Sequence, residues 1–281
     1  MNRRLSYSKR ILTAGAVLCM GVYTGCISHL KTAKSFYLIG EQAASEYRME
    51  QAGAAFKRAL QAAGKEAAAH PSAQAFMMKG LAEMKLNRWQ DAQASFSAAF
   101  VYGFEKGEEW ARQLSLFGLA SSFYRMGLEK SAFHIYEYIL DHTRIEEIRR
   151  LAAQKYADHV LEEARALTGK KREKILNNLL KKTEDLTEDD LACGYYHYLK
   201  SQVLSHLNSY RESLEEAVMA RELGLPSQEL FRDNDNQIVF CFRELQKNAD
   251  AASQGKIRSM MLKWTRKWGW PNPETPAWKK R

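Results

Sequence analysis

The chain has 281 residues, 46% of them hydrophobic, and carries 42 Lys+Arg against 33 Asp+Glu for a formal charge of +9. That length leaves room for a sizeable core in one long domain or two small ones. The charge is uneven, +7 over residues 255–281 and about −2 over 26–254, which excludes a uniformly basic nucleic-acid binder and leaves nucleic acid out of the expected partners.

Arg3, Arg4, Lys9 and Arg10 open the chain without an acidic residue, and the apolar run ILTAGAVLCMGVY follows over 11–23. A helix needs about 20 apolar residues to cross a bilayer, so this run is too short to span and has the length of a signal-peptide apolar region. YTGC then sets the small Gly25 before Cys26, a pattern that resembles the lipobox of bacterial lipoproteins, with Tyr23 where an aliphatic residue is usual. The resemblance implies a signal peptide over 1–25 and acylation of Cys26, with palmitate as the label. It also implies a short tether over 26–33, helix from near Lys31, and a lipid anchor in the bacterial cell envelope, on the outer membrane or the periplasmic face in a diderm. The competing reading is an uncleaved anchor with an incidental cysteine. Cys193 and Cys241 lie in apolar helical contexts and read as small buried residues rather than a pair.

Self-comparison gives a repeat of forty residues. Phe36 maps to Phe76, Gly40 to Gly80, Ala52 to Ala92, Phe56 to Phe96 and Ala59 to Ala99. A third copy supplies Ala120, Ala132, Tyr136 and Ile139, and a fourth supplies Ser201, Ser213, Ala217 and Ala220, 81 residues after the third. Small residues let two antiparallel helices approach, aromatics at i+4 fill the next gap, and hairpins that cannot bury their apolar faces alone must stack. The pattern resembles the tetratricopeptide repeat (TPR) over residues 34–224. It implies an all-α fold, a right-handed α-solenoid of antiparallel helix pairs with C-terminal capping helices. The spacing inside each unit is the usual one, and the extra residues fall between units, in longer second helices or loops.

Residues 145–183 lack the small-residue signature and read as a degenerate unit: a helix with apolar positions 145, 148, 151/152, 156, 160, 164 and 167, ended by Gly169, then a second helix through KREKILNNLLKK. The acidic stretch 183–190 reads as a solvated loop and cap. Residues 225–254 form a closing helix opened by a Ser227 cap. In the basic, Trp-rich tail 255–281, Ile257, Met260, Met261, Trp264 and Trp268 share one helical face. That face either caps the solenoid or lies on an anionic membrane.

No phosphate-loop, zinc-protease, nucleophile-elbow or paired C-x-x-C motif occurs, so the chain is expected to be no enzyme, with no catalytic residue, metal or cofactor. The histidines read as exposed helix-face residues. The repeat family instead implies recognition along the first helix of each hairpin. Its ligand-facing positions fall on Tyr37, Glu41, Met77, Leu81, Met84, Phe117, Ser121, Tyr124, Arg125, Tyr195, Tyr198 and Gln202. That set is aromatic and Met-rich, suited to a protein or peptide partner, an apolar small ligand or a second copy of the chain. The expected function is a membrane-anchored envelope scaffold or adaptor. The alternative is a binding module that serves a transporter with an apolar solute.

Overall fold

The computed structural model describes residues 28–270; Cys26, the expected signal peptide and the last eleven residues lie outside them. The described residues form twelve helices and no strand. They are α1 (His29–Ser45), α2 (Met49–Ala69), α3 (Ala73–Lys85), α4 (Trp89–Tyr102), α5 (Glu109–Arg125) and α6 (Glu129–His142). They continue as α7 (Glu146–Ala166), α8 (Gly169–Asp189), α9 (Gly194–His206), α10 (Tyr210–Leu223), α11 (Gln228–Asn248) and α12 (Ala251–Trp268). The chain divides into two compact units, Met1–Tyr156 and Ala157–Arg281.

In the first unit α1/α2, α3/α4 and α5/α6 pair as hairpins, and α2 packs on α3 and α4 on α5. The second unit has the α9/α10 hairpin, with α8 on one side and α11 on the other. These are the antiparallel helix pairs that the repeat implies. The forty-residue register reappears in the backbone. Tyr47, Asn87 and Gly127 have φ of 59°, 59° and 77°, and Asn208 has 63°. Each sits in the turn inside a hairpin. There the next residue's N–H reaches back to the first helix: Arg48 to Ala43, Arg88 to Glu83, Leu128 to Phe123 and Ser209 to Leu204, all at 2.8–2.9 Å. This left-handed closure satisfies carbonyls that the helix end leaves open.

Packing follows the small-residue pattern. Ala52, Ala92 and Ala132 are buried, as are Phe56, Phe96 and Tyr136 one turn on. A Cβ built on Gly40 would lie 2.5 Å from Phe56, and one on Gly80 would lie 2.9 Å from Phe96. Phe96 is also met from the other side, since a Cβ on Gly118 would come within 2.3 Å of it. In the fourth copy, Ser201, Ser213, Ala217 and Ala220 are all fully buried. The Ser213 hydroxyl donates to the Ser201 carbonyl at 2.7 Å, so the small polar residue joins the two helices directly.

Several boundaries differ from the sequence reading. Helix α1 starts at His29 rather than near Lys31. Ser28 Oγ caps it by accepting from the Lys31 N–H, and the Leu30 N–H donates to Glu66 Oε2 of α2 at 3.1 Å. The stretch 183–190 is no loop, because α8 runs on to Asp189 and buries Thr183, Leu186 and Thr187. The Thr187 hydroxyl bonds the Thr183 carbonyl at 2.6 Å, which lets a polar residue sit inside. Helix α7 ends at Ala166, short of Gly169; of its predicted inward positions Ile148, Ala152 and Ala164 are buried, Ala153, Ala157 and Leu161 are buried as well, and Leu151 is exposed. Ser227 caps α11 as expected, accepting from the Leu230 N–H at 3.2 Å, and Gly269 ends α12 in the left-handed conformation. No disulfide joins Cys193 and Cys241. No helix among the described residues is long and apolar enough to cross a membrane.

Candidate partner-binding face

The first helices α1, α3 and α5 contact one another in sequence, which places their residues on one continuous face of the first unit. Polar groups tie this face together. Lys34 Nζ donates to Gln74 Oε1 at 3.0 Å, and the Gln74 amide donates to Glu108. Lys34 also lies over the Trp110 ring, 5.8 Å from its centre. Two turns on from Lys34, Glu41 pairs with Lys85 of α3 at 2.7 Å. Sequence reasoning missed Lys34, Gln74, Glu108 and Trp110. The signal was present in part, since Lys34 and Gln74 are forty residues apart.

The residues predicted to line a groove divide into two groups. Met77 and Leu81 are buried in the core cluster with Met78 and Phe96, so they are packing residues and not a ligand surface. Tyr37 and Met84 are half-buried at the edge of that core, with Tyr37 5.5 Å from Phe56. Burial raises the Tyr37 phenol far above its ordinary range, and the Glu41 carboxylate adds to this. Phe117 and Tyr124 lean into the third hairpin, against Tyr136 and Phe133. Ser121 Oγ is 3.1 Å from the Tyr136 hydroxyl, whose pKa burial pushes up to about 12. Arg125 is exposed and lies 5.0 Å from the Trp89 ring.

In the second unit Tyr195 is buried, which removes it from any surface, while Tyr198 and Gln202 are half-buried on α9. Burial pushes Tyr198 up to about 12, and the charges of Asp233 and Asp158 act in the same direction. His206, at the end of α9, is held below its ordinary value by burial and by Arg165 and Arg172. His197 is no exposed helix-face histidine. It is buried, with Nδ1 2.6 Å from Glu216 Oε2 and Nε2 3.3 Å from the Leu191 carbonyl. Burial pushes the Glu216 carboxyl up, and hydrogen bonds from His197 and Lys200 more than offset this. A cavity of about 600 Å³ lies along α11, lined by Arg221, Phe231, Arg232 and Asp235 among others; Arg221 pairs with Asp235 at its rim.

The tail's aromatic face turns inward. Met261 is fully buried, and Ile257, Trp264 and Trp268 pack on the core of Leu214, Ile238, Val239 and Phe242. Trp264 and Trp268 stack at 5.9 Å, and the Arg221 guanidinium sits 4.8 Å from Trp268 and 4.9 Å from Trp270. The Trp268 indole N–H donates to Glu222 at 2.9 Å. Met260, counted on the same face, points outward and is 37% exposed, because it lies at the edge of the apolar arc.

No protein-family model matches the chain, and no curated protein matches it. Among solved structures it is similar to one described as YrrB, a TPR protein with an unusual peptide-binding site. That similarity has 17% identity, spans 72% of this chain and 90% of that one, and has a TM-score of 0.41.

Proposed function

We propose that the protein is a lipid-anchored envelope scaffold that holds a protein or peptide partner on the first-helix face of its hairpins. One observation carries this reading: α1, α3 and α5 present a linked row of charged and amide groups, Lys34–Gln74–Glu108, beside the half-buried rings of Tyr37 and Trp110. Such a surface offers hydrogen bonds and charge with partly exposed aromatic edges, as partner-binding surfaces do. With Met77 and Leu81 inside, it favours a polar partner over an apolar solute. Binding, not catalysis, is the activity assigned to it. The anchor follows from Gly25–Cys26 after a short apolar run, with α1 starting three residues beyond Cys26.

Crosslinking of the full chain in cells, read by mass spectrometry, tests the face. Lys34→Glu together with Arg125→Glu is expected to abolish the main crosslinked species while leaving the circular dichroism unchanged. An unchanged crosslink pattern overturns the assignment of the face. Radiolabelled palmitate should enter the protein and fail to enter Cys26→Ser, and entry into both or neither overturns the anchor.

A further inference from the structure

We infer that the outward side of α12 is an electrostatic docking surface for anionic lipid headgroups, an inference that rests on the membrane placement proposed above. Between Ala251 and Trp270 the chain has five basic residues and no acidic one. Lys267 is committed to Glu222, at 2.6 Å, and Arg258 is engaged elsewhere. Lys256, Lys263 and Arg266 are exposed and make no salt bridge among the described residues. At about 100° per residue these three fall within an arc of roughly 80°, on the side away from Met261, Trp264 and Trp268. Ser259 lies within that arc, and the exposed Met260 lies about 40° beyond its Lys256 end. The sequence adds Lys279, Lys280 and Arg281 beyond Trp270, against the single acid Glu274.

The chemistry selects a lipid surface over an acidic protein. Protein partners are held mainly by aromatic and Arg anchors in desolvated pockets. On α12 every tryptophan is turned into the core or onto Arg221, so the outward side keeps no aromatic anchor. What remains is a row of cations, Lys256 and Lys263 about 10 Å apart along the axis at 1.5 Å per residue. A row of point charges suits a plane of phosphates that needs no fixed geometry. The inward aromatic face removes the alternative in which tryptophans insert at the interface.

The test uses the full chain in vesicles of phosphatidylcholine alone or with phosphatidylglycerol. Acetylation of single lysines by an uncharged reagent is followed by mass spectrometry, with exposed Lys57 and Lys65 of α2 as internal comparators. At low salt Lys256 and Lys263 should be protected several-fold in the anionic vesicles only, and high salt should remove the protection. The triple variant Lys256→Glu, Lys263→Glu, Arg266→Glu should lose on the order of 100-fold in preference for anionic over neutral vesicles. Equal labelling in the two vesicles overturns the inference. So does protection that persists in phosphatidylcholine or at high salt, or protection seen in cells but not in anionic vesicles. Failure of the chain to float with either vesicle instead sinks the anchor.

Discussion

At Phe96 two glycines approach one ring, Gly80 from its own hairpin and Gly118 from the next. A methyl at Gly118 would meet a ring already fully buried, so Gly118→Ala should cost about 1–3 kcal/mol in urea unfolding. Gly64, in α2 with open space around it, is the control: Gly64→Ala should add about 0.5–1 kcal/mol through helix propensity. Glu83 gives a pH-dependent case. It is buried, and burial raises its pKa even though the Ser95 hydroxyl donates to it at 2.6 Å and Lys79 lies near. The unfolded chain therefore ionises first. Stability is full below the ordinary carboxylate range and is lost as pH rises through the raised value. Glu83→Gln should raise the melting temperature at neutral pH and leave it unchanged below the ordinary carboxylate range.

Among the elements, α12 is where an apolar arc with two readings in the sequence packs inward in the structure. Both a cap and a membrane helix need the same apolar arc, and periodicity alone cannot separate them. The structure turns that arc onto the second unit, with Arg221 beside two indoles and Glu222 receiving Lys267 and Trp268. Trp268→Ala should then destabilise the second unit by about 2–3 kcal/mol, below the cost of a wholly buried tryptophan, with loss of α11 and α12 amide protection. The same limit explains the groove. The offsets pick out the first helices that contact one another, and the buried alanines and aromatics of the second helices match the pattern residue by residue. They mislead at Met77, Leu81 and Tyr195, because a residue near the boundary of a helical stripe can rotate into the core. In the row Lys34–Gln74–Glu108 the first link keeps the forty-residue offset, but the second spans 34, so the repeat could not align Glu108. The length of α8 was hidden because Thr183 and Thr187 read as polar, though their hydroxyls bond the helix's own carbonyls.

At the scale of the molecule, the hairpins of the first unit are held by their immediate neighbours, so its stability should behave as a sum of local terms. Hydrogen exchange on Gly118→Ala should show protection lost mainly in α4 and α5 and fading by α1; uniform loss across the first unit would falsify this one-dimensional picture. The charge is likewise a property of the whole, near balance along the repeats and positive at the two ends, +4 over residues 1–25 and +7 over 255–281. The double use of Phe96 has an evolutionary corollary. A duplication or deletion cut at the turn around Asn87 would separate the ring from Gly80. One cut after α4 would separate it from Gly118. Copy number can therefore change without leaving a misfitted seam only where the exchanged segments bring matching glycines on both sides. A lineage that enlarges residue 118 should carry a smaller residue at 96.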